Sequence, residues 1–298
     1  MKRHSELLKP IRLSNLLIDY RIVIVADDER LADSDGAVSN ELIRSRMDQA
    51  KSGASVIITE PFIVDFSGHA GFDSEPSDLL IDSDEYLPNL QRLTSAIHAA
   101  GASVIIRFGL SNLSRAATTS PATACFEPTP ALDIVNSEYE YLRIAASFRA
   151  AAGRIAKAGA DGIELDWSLS YGMRGSPVSR TDLYSGDFAK NQQKDFFGVA
   201  DEMRRAFPVE RPIICRFNLS SFVLANDGFE FLIDLVSSFK TDGRFDAIHL
   251  FFDPPMASID QIKCWSEEIR LAAALPTIES FGVRSFDEAD SLIASGAA

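Results

Sequence analysis

The sequence predicts an α/β barrel of the TIM (β/α)8 type. Three phrases, "AKSGASVII", "AAGASVII" and "AKAGADGIEL", repeat the same order of helix end, small glycine-containing turn and apolar strand. The segments "SVIITE", "SVIIRF" and "PIICRF" are β-branched and apolar on both faces, which is typical of parallel strands covered on both sides. Longer amphipathic segments alternate with these strands along the chain, as in a barrel built of strand–helix units.

The order of predicted elements follows directly from these patterns. Apolar runs predict seven strands: Arg21–Ala26, Ser55–Glu60, Ser103–Phe108, Gly162–Trp167, Pro212–Asn218, Phe245–Phe252 and Pro276–Gly282. Amphipathic periodicity predicts helices at Asn40–Lys51, Asp84–Ala100, Ser137–Ala158, Phe188–Phe207, Phe229–Phe239, Ser258–Ala274 and Phe286–Ala294. We expect Asp82 or Ser83 to cap the second helix and Gly101 to end it.

One strand is missing from this count. A (β/α)8 barrel closes with eight strands, whereas an open sheet of seven leaves two edges exposed. The last phrase, "SLIASGAA", matches the turns that precede strands elsewhere in the chain. We therefore expect one barrel domain over residues 1–298, truncated before strand eight or closed by a segment outside this sequence. A doubly wound open sheet is the alternative, and the lack of a GxGxxG motif after the first strand disfavours it.

Composition and charge exclude several classes of protein. The 298 residues are 46% hydrophobic and 24% charged, which is ample for one large core. The net charge of -14 predicts repulsion from nucleic acid. No apolar run approaches the roughly 20 residues of a membrane span, and the basic start "MKRHSELLKPIRLSN" lacks the apolar core of a secretion signal. We predict a cytoplasmic protein that binds neither nucleic acid nor a membrane.

Metal and disulfide chemistry are not indicated. The three cysteines, Cys125, Cys215 and Cys264, lie far apart and form no CxxC pair. The four histidines are scattered, and none stands at ligand spacing from another. We predict neither a metal site nor a disulfide framework, and we interpret Cys215 as a small buried apolar residue.

Charged residues near the ends of the predicted strands are the candidates for a site, because barrel active sites lie where strands pass into loops. In "GIELDWS", Glu164 and Asp166 share one face of the strand and should point into the lumen. Arg107 and Arg216 each stand between apolar neighbours and should do the same. Two arginines and two carboxylates would then converge in one mouth, either as a ligand site or as an internal ion-pair network that closes the barrel.

Three nearby features have both a functional and a packing interpretation. Trp167 lies on the face opposite Asp166 and should pack against a helix. Tyr171 follows a few residues later, as a catalytic residue or as a tyrosine at the rim. The segment Ser114–Asp133, rich in Ser, Thr, Pro and Ala, follows the third strand. It should be a long loop at the mouth, with or without the function of a lid.

Several phrases resemble those of a known enzyme family. The opening "LLKPIRLSNLLIDYRIVIV", the stretch "LPNLQRLTSAIHAAGASVIIRF" and, most of all, "FRAAAGRIAKAGADGIEL" followed by "SRTDLYSGDFAKNQQK" are similar to the old yellow enzyme family. These enzymes are FMN-dependent NADH:flavin oxidoreductases and 2,4-dienoyl-CoA reductases. The resemblance covers nearly the whole chain. It implies a TIM barrel that binds FMN, takes hydride from NAD(P)H and reduces an unsaturated or carbonyl-bearing small molecule.

The resemblance also implies roles for individual residues. Tyr171 matches the family's proton-donating tyrosine. Arg216 matches the arginine near the N1 and O2 edge of the flavin, where a cation stabilises the reduced ring. Gly282 matches a glycine of the phosphate loop. Ala26 stands where the family has a flavin-contacting segment after strand one, and Arg107 stands where it has a glutamine that hydrogen-bonds the flavin.

The sequence departs from the family where the substrate binds. Relatives hold the substrate carbonyl oxygen with a His/His or His/Asn pair, whereas this chain has Asp166 and Leu169. An ionised aspartate repels the charge of an enolate oxygen, so we expect a substrate other than a simple enone, with a cationic or hydroxyl group. Phe281 replaces the second glycine of the phosphate loop.

Two hypotheses follow from these matches and departures. In the first, the chain is a divergent FMN-dependent oxidoreductase in which Tyr171 supplies a proton while Asp166 and Arg107 read the substrate. In the second, the barrel has lost flavin chemistry and is a lyase or isomerase with Asp166 as base and Tyr171 as acid, or a non-catalytic subunit. A second copy or a paralogous subunit is left open as a partner. Because the rest of the phosphate site should follow Ala298, we expect residues 1–298 alone to bind FMN weakly or not at all.

Overall fold

Strands and helices alternate in the computed structural model, which describes residues 6–64, 78–110, 138–169, 186–223, 225, 227–252, 259–280, 283 and 285–295. The strands are β1 (Ile11–Leu13), β2 (Leu16–Ile18), β3 (Val23–Val25), β4 (Val56–Val64), β5 (Leu79–Leu80), β6 (Ser103–Leu110), β7 (Gly162–Asp166), β8 (Ile213–Asn218), β9 (Ala247–Phe251) and β10 (Thr277–Ser280). The helices are α1 (Asn40–Lys51), α2 (Leu87–Ala99), α3 (Glu138–Lys157), α4 (Gly186–Ala206), α5 (Leu219–Val223), α6 (Gly228–Ser237), α7 (Phe239–Asp242), α8 (Ile259–Ala273) and α9 (Phe286–Ser295).

Seven of the described strands form a parallel sheet that curls into a nearly closed barrel. The order around it is β3, β4, β6, β7, β8, β9 and β10, and every neighbouring pair is parallel. The predicted TIM barrel and its seven predicted strands are confirmed. The antiparallel hairpin of β1 and β2, and β5, which extends the end of β4, were not predicted.

The helices begin and end close to the predicted residues. Ser39 caps α1, and its hydroxyl accepts a hydrogen bond at 3.0 Å from the backbone N–H three residues on. Ser83, rather than Asp82, caps a 3-10 turn at Asp84–Tyr86 that leads into α2. Gly101 follows α2 with a φ of +92°, a conformation that glycine adopts without steric cost. Among the helices of the described part, none has both the length and the apolar character needed to cross a membrane.

Two apolar layers hold the barrel together and leave one end open. Outside the sheet, Trp167 packs against Phe196 of α4 and Phe217 of β8, with ring centroids 4.8 and 5.9 Å away. This is the core packing expected for Trp167, and Cys215 is buried as expected. Inside, the hairpin contributes two apolar side chains to a cluster that fills the amino-terminal end of the lumen: Leu13, Ile18, Val56, Ile58, Ile105, Ile214 and Ala247. Within the described residues, this cluster leaves the carboxyl end of the lumen open for a site.

A cavity of about 590 Å³ separates the first and last strands of the sheet. We call this space the seam. Its lining is largely apolar and comes from β1, β3, β10 and α9, including Leu13, Val23, Val25, Ile278, Phe286 and Leu292. β3 and β10 each have one hydrogen-bonded neighbour within the described ranges. An eighth parallel strand would pair with both edges here, and its place after Ala298 stays a prediction.

Glu279, on β10, is a half-buried residue that lines the seam, and its Oε1 atom is buried. Its Oε2 accepts a hydrogen bond from Ser266 Oγ of α8 at 3.0 Å, while its Oε1 has no hydrogen-bond partner in the described part of the chain. Burial raises the pKa of Glu279 well above its usual value, and the hydroxyl of Ser266 opposes this only in part. The folded state therefore favours the protonated acid.

Glu279→Gln should stabilise the protein at pH 8, because glutamine mimics the protonated acid. The raised pKa means that the folded state binds a proton which the unfolded chain releases. Stability is therefore lost as pH rises from the ordinary glutamate value through the raised one. We expect a gain on the order of 1 kcal/mol, a few degrees in Tm, at pH 8, and no gain near pH 4. Glu268→Gln, at an exposed position of α8, is the matched control. Equal Tm for the wild type and Glu279→Gln at pH 8 would contradict this assignment.

Candidate active site at the carboxyl end of the barrel

The predicted polar side chains meet inside the mouth of the barrel, on neighbouring strands. Arg107 of β6 lies opposite Glu164 of β7, and Asp166 of β7 lies opposite Arg216 of β8. Arg216 in turn lies opposite His249 of β9. The residues between them in each strand are apolar and pack outward, so the predicted inward direction of the two arginines and two carboxylates is confirmed.

Glu164 is the centre of this cluster and has no exposed surface. Its Oε1 accepts a hydrogen bond from Arg107 Nε at 2.6 Å, and its Oε2 lies 2.6 Å from His249 Nδ1. Arg216 Nε stands 3.8 Å from Oε1. Burial alone would raise the pKa of Glu164, but the hydrogen bond from His249 Nδ1–H and the charges of the two guanidinium groups outweigh burial and hold the pKa well below its usual range. Glu164 is therefore ionised in the folded state.

His249 is a functional candidate that the sequence did not reveal. Its side chain is fully buried, and burial, together with the charges of Arg216 and Arg107, lowers its pKa despite the attraction of Glu164. The neutral ring then donates Nδ1–H to Glu164 and keeps a lone pair on Nε2. That Nε2 atom has no hydrogen-bond partner in the described part of the chain. The period-two pattern of "AIHLF" could have placed His249 on the lumen face.

Asp166 and Arg216 form the second ion pair of the mouth. Arg216 Nη1 donates to Asp166 Oδ2, and the backbone N–H of Ser168 donates to Oδ1 at 2.8 Å. The guanidinium carbon of Arg216 lies 3.5 Å from the ring centroid of Phe251. Burial, and after it the charge of Arg107, lowers the pKa of Arg216, while the two carboxylates oppose this.

Two buried donors in the cluster remain without an acceptor. Arg107 Nη2 and Arg216 Nε have no hydrogen-bond partner among the residues that the structure describes. Buried N–H groups are normally paired with protein, water or ligand. The mouth is therefore an ion-pair network, as one of the two interpretations predicted, that also presents unused donors to a bound molecule.

The remaining predicted site residues are placed only in part. Ala26 is buried at the end of β3, where its N–H donates to the carbonyl of Ile58 at 2.8 Å. Glu60, at the predicted end of strand two, pairs instead with Arg46 of α1 at 2.6 Å, away from the cluster. Tyr171 and Gly282 lie outside the described residues, as does the predicted loop Ser114–Asp133, so their roles stay predictions. Among the described residues, no three His, Cys, Asp or Glu side chains are placed to hold a metal ion.

A parallel barrel with its polar side chains gathered at the carboxyl ends of the strands belongs to the class of α/β-barrel enzymes. The chain belongs to the NADH:flavin oxidoreductase / NADH oxidase family, whose model matches residues 6–239. The resemblance to the old yellow enzymes is confirmed by this match.

Relatives of known name support the same family. The chain is 26% identical to an NADH oxidase of Thermoanaerobacter brockii over 96% of its own length and 46% of the relative's. It is 29% identical to a metal reductase of Desulforamulus reducens over 74% of its length and 33% of the relative's. The chain thus spans about half the length, or less, of these two relatives.

Solved structures of similar fold agree on the barrel. A 2-naphthoyl-CoA reductase complex matches with a TM-score of 0.78 at 17% identity, over 99% of this chain and 49% of that one. An old yellow enzyme homologue from Zymomonas mobilis matches with a TM-score of 0.74 at 18% identity, over 98% and 86%. Morphinone reductase matches with a TM-score of 0.71 at 15% identity, over 98% and 83%.

Glu164→Gln should destabilise the fold strongly, because it removes the counter-charge of two buried arginines. Loss of one partner of a buried ion pair costs about 3–5 kcal/mol, which urea denaturation would measure as a lower midpoint at unchanged slope. Glu202→Gln, which breaks only surface pairs with Arg149 and Arg205, should cost less than about 1 kcal/mol. Similar losses in the two variants would refute the central role of Glu164.

His249→Gln should flatten the loss of stability that the wild type shows on mild acidification. Because folding lowers the pKa of His249, the unfolded chain binds the proton more readily, and stability falls as pH drops below about 6.5. Tm measured from pH 7.5 to 5 should therefore decline less in this variant than in the wild type. Identical slopes for His249→Gln and the wild type would show that His249 is not buried neutral.

Proposed function

We propose that this chain is the catalytic barrel of an FMN-dependent oxidoreductase. It would take hydride from NAD(P)H and deliver it to an unsaturated or carbonyl-bearing small molecule. The family supports the reaction class, and the unpaired guanidinium N–H groups at the mouth are the observation that carries the proposal to this site. Relatives named NADH oxidase, metal reductase and 4,4'-dithiodibutanoate disulfide reductase differ in what they reduce. Family alone therefore does not define the substrate.

The donors at the mouth fit FMN. A flavin ring carries carbonyl oxygens on its pyrimidine half and gains negative charge there on reduction. Arg107 Nη2 and Arg216 Nε are buried donors of the kind that such oxygens accept. Bound FMN would supply the hydride chemistry, which amino-acid side chains do not provide.

The chain's own residues would bind and orient the flavin and donate a proton to the substrate. Arg107 and Arg216 would hold the ring, and the small side chain of Ala26 would leave room for it. Gly282 would let the backbone approach the phosphate, and Tyr171 would donate a proton to the substrate; both roles rest on the family motif in the sequence. Glu164 would fix the two arginines without touching the ligand.

Asp166 suits the support of Arg216 better than proton abstraction. One of its oxygens accepts the Ser168 N–H and the other accepts Arg216 Nη1. A general base must direct a free oxygen at the proton it removes. The lyase or isomerase alternative, in which Asp166 is the base, therefore gains no support from this geometry.

The setting of the protein is part of the same proposal. We propose that it acts in the cytoplasm and binds neither membranes nor nucleic acid; its net charge of -14 opposes binding to nucleic acid. The NADH oxidase relative is about twice as long as the part matched here. A second copy or a paralogous subunit is therefore retained as a partner.

Arg216→Met should weaken FMN binding by at least about tenfold, because it removes a charge-assisted donor. The measurement is the quenching of flavin fluorescence as protein is titrated into FMN, with protein concentrations extending to the millimolar range. Arg149→Met, on the exposed face of α3, should bind like the wild type. Because residues 1–298 alone are expected to bind FMN weakly or not at all, the deciding wild type is the complete gene product, and no saturable FMN binding by it would overturn the proposal in favour of a barrel without flavin chemistry. Equal affinity in the two variants would remove Arg216 from the site.

A further inference from the structure

The carboxylate of Asp166 pairs with the guanidinium group of Arg216, which faces the mouth of the barrel. Arg216 and Asp166 are in direct contact, with side chains 14% and 8% exposed. Guanidinium groups in enzyme mouths commonly bind the carboxylate or phosphate of a ligand in a two-pronged fashion. Here the protein's own side chain takes that place.

The pair is held in position from both sides. The Ser168 N–H fixes Asp166 through its other oxygen at 2.8 Å, which is the local turn that aspartate forms with the backbone two residues on. Phe251 supports the face of the Arg216 guanidinium at 3.5 Å. Neither partner needs to reorganise to keep the contact, so an incoming anion would have to displace a preorganised carboxylate.

The charges of the described cluster cancel. Arg107 and Arg216 contribute two positive charges, Glu164 and Asp166 contribute two negative charges, and His249 is neutral. The unused hydrogen-bonding capacity of the described cluster is two N–H donors, on Arg107 Nη2 and Arg216 Nε, and one acceptor, His249 Nε2. A neutral oxygen acceptor can use these donors at no electrostatic cost, whereas a carboxylate would bring an excess negative charge next to two others.

We propose that Asp166 is a specificity-determining residue: it fills the anion position on Arg216, so that the carboxylate or phosphate of a ligand cannot pair with this cation. The conclusion that Asp166 selects the substrate rests on the proposed function. The conclusion that Asp166 occupies the anion position on Arg216 rests on the contacts of Asp166 alone.

Chemical rescue tests the proposal with formate as the probe. Asp166→Ala removes the internal carboxylate and leaves space beside Arg216. Formate should then raise the Tm of this variant saturably, with a half-saturating concentration at least about tenfold lower than any formate effect on the wild type. Ionic strength is kept constant with a bulky sulfonate buffer. Formamide, which has nearly the same shape but no charge, should not rescue the variant.

Two matched variants locate the effect. Asp166→Asn keeps the volume of the side chain, so formate should find no space and give no rescue. The double variant Asp166→Ala with Arg216→Met lacks the cation and should also lose the rescue. Asp166→Ser, whose hydroxyl can still accept the Ser168 N–H, serves as the rescued variant if the alanine variant does not fold.

The outcomes separate this inference from the proposed function. A folded Asp166→Ala variant without a formate response, or a wild type that formate stabilises equally well, would overturn the inference. The experiment contains no flavin, so either result leaves the FMN titration to decide the proposed function independently. A rescue confined to variants that have a smaller side chain at position 166 and keep Arg216 would establish the internal carboxylate.

Discussion

The buried carboxylate of Glu164 is the constraint on which the mouth of this barrel depends. An ionised group without exposed surface costs several kcal/mol unless charges and hydrogen bonds surround it. Glu164 meets this requirement with Arg107 of β6 and His249 of β9, and with Arg216 of β8 at longer range. These side chains come from four strands, and their contacts are compatible only with the register that the backbone hydrogen bonds also set. A slip of β7 by one residue would turn Leu165 into the lumen and Glu164 towards the helices.

Much of this arrangement could be predicted from the sequence, because it needs only local information. Period-two alternation and the cost of a charge against apolar helices were enough to place Glu164, Asp166, Arg107 and Arg216 on the lumen face. The pairing of His249 with Glu164 was not predictable in this way, since the two lie 85 residues apart. A single histidine in an apolar run gives no local sign of its partner. Its role follows only when the register of β8 and β9 is known.

Glu60 shows the opposite case, in which a local pattern misleads. Its position at the end of the predicted second strand made it a candidate for the mouth, yet its carboxylate is bound by Arg46 of α1. The cause is a shift of register between Ile58 and Pro61, where β4 and β6 lose their regular pairing. Such an irregularity re-aims the side chains beyond it. Pro61 was a visible sign of this, because proline cannot donate to a strand ladder.

The seam between β3 and β10 makes the barrel unequal around its circumference. In the described structure, β6, β7 and β8 are hydrogen-bonded to a strand on either side, while the two strands at the seam are held from one side only. Local opening costs least where the fewest bonds must break. The amide protons of β7, three strands from either edge, should be among the last to exchange with solvent, so the strand that carries Glu164 and Asp166 is also the most protected by its neighbours.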